Sequence, residues 1–427
     1  MKNILFLILL TFFSTNIYAQ LNAGDPTVII PGLGAGNNER VITTGVPFLQ
    51  IAADSRSGGM GDIGVASAPD AFSQQWNPAK YAFAKDKQAF GFTYTPYLSK
   101  LVNDIFLGNI TYYNRLNERS AVASSFRYFS LGEIDILENP EDIPLVLSPN
   151  EFTFDISYSL KLSERFSMAI AGRFLNSDLK LQIADEDASA ASSFAVDIAG
   201  YYQSEEIPYD SFDGRWRLGF NFSNIGPKLK YDEVGQESNI PTNMALGGGF
   251  DFILDQYNKV SALFEVNKLL VPTPPIYGTK ISYIDENGNG QYDEGVDGDE
   301  GELITGSEPD NSSIFSGKDP NVSFFQGIFQ SFGDAPDGFS EELKEFTWAI
   351  GAEYLYQDSF AFRLGYFNES DEKGSRKFAT FGAGFKYTTI NIDLSYLFST
   401  VDVASNPLEG TLRFGLTFNF GEQYDEY

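Results

Sequence analysis

The sequence predicts an all-β protein: a 14-stranded antiparallel transmembrane β-barrel with an N-terminal hatch or plug segment. Three observations predict it. From about residue 88 onward, most segments alternate apolar and polar residues with the period of two expected of strands. The connections between these segments sort into short turns and long loops in alternation, as in outer-membrane barrels. Beyond the first nineteen residues, no stretch approaches the roughly 20 apolar residues needed for a spanning helix, so membrane residence must come from strands.

Taken in order, residues 1–19 have the make-up of a secretory signal. Lys2 supplies the charged start, residues 4–13 the apolar core, and Ile17-Tyr18-Ala19 a cleavage site before Gln20. Residues 20–87 are rich in Gly, Ala, Ser and Pro with little alternation, which suits a compact, tightly turned plug. Gly59, Gly61 and Gly64 formally match G-x-G-x-x-G. A dinucleotide site would need a preceding strand and a following βαβ unit, and the barrel-like strands downstream offer neither.

Residues 88–420 form the predicted barrel. Its fourteen candidate strands are 88–95, 104–113, 121–130, 151–162, 166–175, 193–202, 215–223, 243–254, 259–268, 346–356, 360–367, 378–387, 390–399 and 410–420. Most approach the 9–11 residues or so that a tilted membrane strand requires. Phe152, Phe154, Ile156, Tyr158, Leu160 and Leu162 give one clear apolar row; Leu412, Phe414, Leu416, Phe418 and Phe420 give the row of the closing strand. Aromatic residues make up 15% of the chain, with 39 Phe and 23 Tyr, which fits lipid-facing strands with aromatic girdles. The even strand count predicts both termini on the short-turn, periplasmic side, residues 421–427 forming a tail there and the long loops lying outside the cell.

The opposite face of these strands carries charges of both signs: Arg127, Asp155, Arg173, Asp197, Arg217, Asp251, Glu265, Glu353, Arg363, Asp393 and Arg413. Such residues would be costly against lipid, up to about 2–4 kcal/mol at mid-bilayer for Arg or Lys. They are therefore predicted to point inward and pair, bracing the lumen or gripping the plug.

Composition removes several functions. There is no cysteine and no histidine, so disulfides, thiolate or imidazole metal sites and histidine-based hydrolysis are all absent. The formal net charge of −29 argues against nucleic-acid binding, which needs basic patches. No carboxylate or Ser/Lys arrangement stands out as catalytic, and no cofactor is required.

The longest connection, 269–345, is acidic and is predicted to be extracellular. Within it Asp285, Asn287, Asn289, Gln291 (through its carbonyl) and Asp293 follow the D-x-[DN]-x-[DN]-G opening of a calcium loop, with Gly290 at the turn. Val296 stands where that loop places its bidentate Glu, leaving Asp297 or Asp299 as the substitute. The pattern points to a structural calcium ion in the 285–299 loop; an acidic, solvated surface is the plainer alternative.

The run from Ser57 to Ala66 (SGGMGDIGVA), followed by Trp76-Asn77-Pro78-Ala79, resembles the N-terminal signature of the PorV/PorQ family of Bacteroidetes outer-membrane proteins. These are FadL-like 14-stranded barrels with an Asn-Pro-Ala motif in the hatch. Residues 42–49 (ITTGVPFL), the chain length and the strand count bring it nearest to the PorV branch. The resemblance implies a non-enzymatic carrier of the type IX secretion system. Such a carrier takes cargo with a C-terminal signal domain from the translocon barrel and delivers it to the surface attachment complex. There a sortase removes the signal and joins the cargo to lipopolysaccharide. It also implies that the long loops, rather than Asn77, Pro78 and Ala79, meet these partners. The competing reading is a FadL-like, hatch-gated channel for a hydrophobic small molecule. The charged inner face favours the carrier, because an apolar passenger needs an apolar path.

Overall fold

The computed structural model describes residues 27–31, 40–100, 102–136, 144–179, 190–231, 237–282, 313–401 and 409–424. The signal segment 1–19 and the calcium-loop residues Asp285, Asn287, Asn289, Gln291 and Asp293 lie outside them. The chain divides into two units. The smaller contains a three-stranded sheet in which Thr27–Pro31 pairs antiparallel with Ile276–Ser282, with Ser313–Ser316 on the other side of Ile276–Ser282.

The larger unit, Gly36–Pro275 with Ser316–Tyr427, is built on a closed antiparallel sheet. Its strands are β1 Asp86–Pro96, β2 Ile105–Arg115, β3 Ser120–Leu131, β4 Asn150–Lys161, β5 Phe166–Asp178, β6 Ala191–Gln203, β7 Asp213–Ile225, β8 Asn243–Ile253, β9 Asn258–Leu269, β10 Phe346–Tyr356, β11 Phe360–Asn368, β12 Lys377–Tyr387, β13 Ile390–Ser399 and β14 Leu412–Gln423. Each pairs with its neighbour in sequence, and β14 closes on β1 through Gln88↔Phe420, Phe90↔Phe418 and Phe92↔Leu416. All fourteen predicted strands are present. The last runs through Gln423, three residues into the stretch predicted as a tail, because Asp86 at the start of β1 pairs with Gln423.

The connections sort by end. Those at one end are short: 116–119, 162–165, 204–212, 254–257, 357–359 and 388–389. In 357–359, Gln357 and Asp358 both have positive φ (53° and 49°), the backbone of a hairpin whose twist matches its strands. Those at the other end are mostly longer, and the described residues of the longest, 270–345, include α3 Phe324–Gln330 and α4 Phe339–Lys344. (α1 is Ser55–Gly58 and α2 Ser73–Trp76.)

Alternation sorts the side chains. Phe154, Ile156 and Tyr158 of β4, Trp216 and Leu218 of β7, and Leu412, Phe414 and Phe418 of β14 point out and are exposed. An apolar band of this extent would be untenable in water and is the surface a lipid bilayer covers. The charged residues of the opposite face are all buried inside.

Candidate functional site: the plugged lumen and the long-connection end

The segment 46–85 fills the space enclosed by the sheet. It meets wall residues on every side, from Gly91 of β1 beside Phe72 to Arg413 of β14 beside Gly58. Backbone approach of this kind needs glycine. On the wall, Gly219, Gly247, Gly351, Gly365, Gly382 and Gly415 sit on the inward face. A Cβ on Gly365 would fall 2.0 Å from the Gly61 nitrogen, and one on Gly219 would fall 2.2 Å from the Val65 oxygen. On the plug, Gly61 has φ +79° and Gly59 lies against the Cα of Gly382. The glycines at 59 and 61 thus serve close packing of plug on wall, while Gly64 makes room for the Trp76 ring within the plug. The matching wall glycines were legible in principle: they occupy the polar parity of their strands, where a side chain is otherwise expected.

Charges on the inner face form two sets. One braces wall to wall: Arg173 pairs with Asp155 and, at 3.1 Å, with Asp197; Arg217 pairs with Asp251; Arg363 pairs with Glu353 at 2.7 Å and Asp393 at 2.6 Å. Arg127 lies 3.8 Å from Asp155. The other set grips the plug. Arg56 donates to both oxygens of Glu353 (2.8 and 3.0 Å) and pairs with Asp70 at 2.8 Å. Arg413 holds Asp62 at 2.7 Å, and Glu265 accepts from the N–H groups of Gly64 and Val65, both at 2.9 Å. Glu353, held by two arginines, joins the sets.

The hatch motif has a local explanation. Asn77 caps a 3₁₀ turn, Pro78–Phe83: its side-chain oxygen accepts from the Ala79 N–H at 3.0 Å, and Pro78 occupies the first turn, where no donor is missed. The Asn77 amide nitrogen donates to the carbonyls of Val65 and of Gly200 in β6, each at 2.9 Å. Ala79 packs against Ala169, Ala199 and Tyr201, while its carbonyl accepts from Ser167 of β5. Asn77, Pro78 and Ala79 therefore fasten the plug to β5 and β6.

At the long-connection end, residues 316–345 form a flap. Lys268, on the outward parity of β9, is nonetheless fully buried beneath it, paired with Glu345 at 2.5 Å and Glu342 at 3.3 Å. Glu341 accepts a bidentate pair from Arg40 (2.9 and 2.7 Å) and one bond from Lys373 (2.6 Å). Burial opposes ionisation of Glu341, but its bonds to Arg40 and Lys373 outweigh that and hold its carboxyl down at about 2. Asp334 is pushed the other way, to about 6, by burial first and then by Glu342 and Glu345. The outer side of the flap leaves Phe325, Phe329, Phe332, Phe339 and Leu343 exposed. The sequence did not separate this flap from the rest of the acidic connection. Its signal, Phe325/Phe329 and Phe339/Leu343 at i,i+4, is confined to two helices of six and seven residues. Among the described residues no acidic cluster is arranged to hold a metal ion.

The family described as "Type IX secretion system protein PorV" matches residues 34–276, from the plug through the first nine strands. The chain belongs to the PorV family. Membership and the closed barrel place it in the outer membrane and associate it with type IX secretion. No curated protein sequence matches significantly. Similar solved structures include a Pseudomonas aeruginosa FadL homologue (12% identity, TM-score 0.41, covering 90% of this chain and 100% of that one). Others are the P. putida toluene transporter TodX (11%, 0.47, 86% and 98%) and the Ralstonia pickettii toluene transporter TbuX (11%, 0.43, 86% and 98%).

Proposed function

We propose that this protein is a non-enzymatic carrier of type IX secretion. It receives cargo bearing a C-terminal signal domain from the translocon barrel and passes it to the surface complex where a sortase attaches it to lipopolysaccharide. On this reading the long-connection end faces outside and the short turns face the periplasm. The observation that supports it best is the plug: ion pairs and backbone-to-backbone packing tie it to strands all around the lumen. A protein built this way works with its outer surface and connections. The exposed aromatic side chains of the flap and the connections 132–149 and 226–242 are then the surface offered to cargo and translocon.

The test is a deletion strain expressing a reporter with a type IX C-terminal signal. The reporter should remain unattached to the surface, and the wild-type gene should restore attachment. Normal surface attachment with loss of growth on a hydrophobic nutrient would instead establish the channel reading. We further propose that the 285–299 loop binds a structural calcium ion. Purified barrel stripped with a chelator should bind calcium saturably, and Asp285→Ala with Asn287→Ala should abolish that binding; unchanged binding in the double variant removes the assignment.

A further inference from the structure

We infer that the lumen holds a closed, water-filled chamber between the plug and the wall formed by β1 to β4. An arginine without a hydrogen-bonded counter-ion makes this chamber selective for small inorganic anions once its two ends are opened. The chamber lies within the barrel unit and does not depend on the carrier reading. Thr93 of β1, Asn109 of β2, Arg127 of β3 and Thr153 of β4 stand directly opposite one another on a single rung. All four point inward and are at most 2% exposed. Thr93 Oγ1, Asn109 Oδ1, Thr153 Oγ1 and the Nε and Nη1 of Arg127 have no hydrogen-bond partner among the described residues. Arg127 Nη2 reaches Asp155 only at 3.8 Å, too far for a hydrogen bond. On the plug, Ser55 Oγ and Gln74 Nε2 are likewise buried and unpartnered. Ser55 lies against Gly415 of β14, the residue opposite Thr93, and Gln74 accepts from Ser157 of β4 at 2.6 Å. Wall and plug thus bring unpartnered polar atoms to the same sector of the lumen.

The plug stands off from the wall there. Its backbone-to-backbone approaches fall at Gly219, Gly351, Gly365 and Gly382, on β7, β10, β11 and β12. In contrast, β2, β3 and β4 have no glycine at an inward position. Buried polar atoms in folded proteins are nearly always satisfied, by protein or by ordered water. The occupant must donate as well as accept, because Arg127 offers only donors and Asn109 Oδ1 only accepts. An apolar passenger answers neither, a bare anion answers Arg127 alone, and water answers both. Apolar packing closes both ends. Towards the long connections, Leu107 and Phe129 join Phe48, whose ring stacks on Phe129 at 5.8 Å. Towards the short turns, Tyr113 and Ala123 join Ala71 and Tyr81, with the two tyrosine rings 4.9 Å apart. The neighbouring carboxylates are turned to other partners: Asp155 to Arg173 and to Ser125 (2.8 Å), Glu151 to Ser177 (2.6 Å). The charged donors left to the chamber are those of Arg127, and arginine lining a pore favours anions.

Two measurements test the chamber and its selectivity. A crystal structure of the wild-type barrel, at a resolution that shows ordered water, should place water within hydrogen-bond distance of Arg127 Nε or Nη1 and of Asn109 or Thr153. Side chains packed against one another there, with no water between them, overturn the chamber. The second measurement places the purified full-length protein in a planar bilayer under a potassium chloride gradient. Phe129→Ala and Tyr113→Ala each remove one seal, and each alone should stay as silent as wild type. Together they should pass a steady current whose reversal potential lies on the chloride side. Adding Arg127→Gln should keep the current and bring the chloride and potassium permeabilities close to equal. A silent double variant overturns the anion path, and so does a current whose selectivity Arg127→Gln leaves unchanged. Protease protection of the plug is read on the same samples. A plug cut in the double variant but not in wild type assigns the current to a displaced plug, which also overturns the path.

Discussion

Gly365 and Gly172 are both strand glycines, yet they should respond oppositely to one methyl group. A Cβ on Gly365 would meet the backbone of Met60 and Gly61 at 2.0 Å, whereas one on Gly172 meets nothing within 4 Å. Backbone cannot swing aside as a side chain can, so Gly365→Ala should cost at least the roughly 1–3 kcal/mol of an overpacked core. The expected result is a plug cleaved by protease in the purified barrel, while Gly172→Ala is indistinguishable from wild type. Asn77 offers a finer separation. Asn77→Ala removes a cap, worth about 1 kcal/mol, and also takes the amide donor from the Val65 carbonyl, at about 1–3 kcal/mol, while Gly200 keeps its place in the ladder between β5 and β7. Asn77→Asp keeps the capping oxygen but has no amide to donate. Both variants should therefore destabilise the plug by protease protection; equal stability of Asn77→Asp and wild type would show that capping is the whole role.

At the scale of elements, the pattern of alternation told more than the pairing. Inward charges such as Arg413 and Glu353 were legible because β14 and β10 put them opposite apolar rows. That Arg413 seizes Asp62, while Arg363 spends itself on Glu353 and Asp393, was not legible. It depends on the path of the plug, which no period encodes. The flap was hidden for a related reason: its helices are set by Arg40 and Lys373, residues far away in sequence. Its docking should depend on pH in a defined sense. Asp334 is raised from 3.8 to about 6, so the docked flap favours the neutral carboxyl and loses that contribution as pH rises through about 6. Glu341 is lowered from 4.5 to about 2, so its contribution is present above about 4.5 and fades as pH falls toward 2. Proteolysis within 316–345 should accelerate as pH rises from about 3.8 to about 6 and change little above that. Asp334→Asn, which retains an oxygen for the Thr273 N–H, should flatten that rise.

For the whole molecule, the barrel and its strand count could be read from sequence because a closed membrane sheet leaves alternation and loop sorting in every strand. The lumen could not, since its state depends on which inner charges hold wall to wall and which hold the plug. This division gives a prediction at the same scale. Removing Arg173 leaves Asp155 and Asp197 buried with their principal partner gone, a loss of about 3–5 kcal/mol that falls on the wall between β4 and β6. Arg173→Met should lower the temperature at which the folded barrel loses its compact electrophoretic mobility. Removing Arg413 leaves Asp62 without its ion-pair partner, while the neighbouring β13–β14 ladder keeps its backbone bonds. Arg413→Met should leave that temperature nearly unchanged, yet admit protease to the plug and give intermittent ion conductance in a planar bilayer. Asp62→Asn added to Arg413→Met should restore much of the closed state, because the uncompensated charge is then gone. If Arg413→Met lowers the unfolding temperature as far as Arg173→Met does, the two sets of charges are one network, and the plug is as much a structural core of the barrel as its wall.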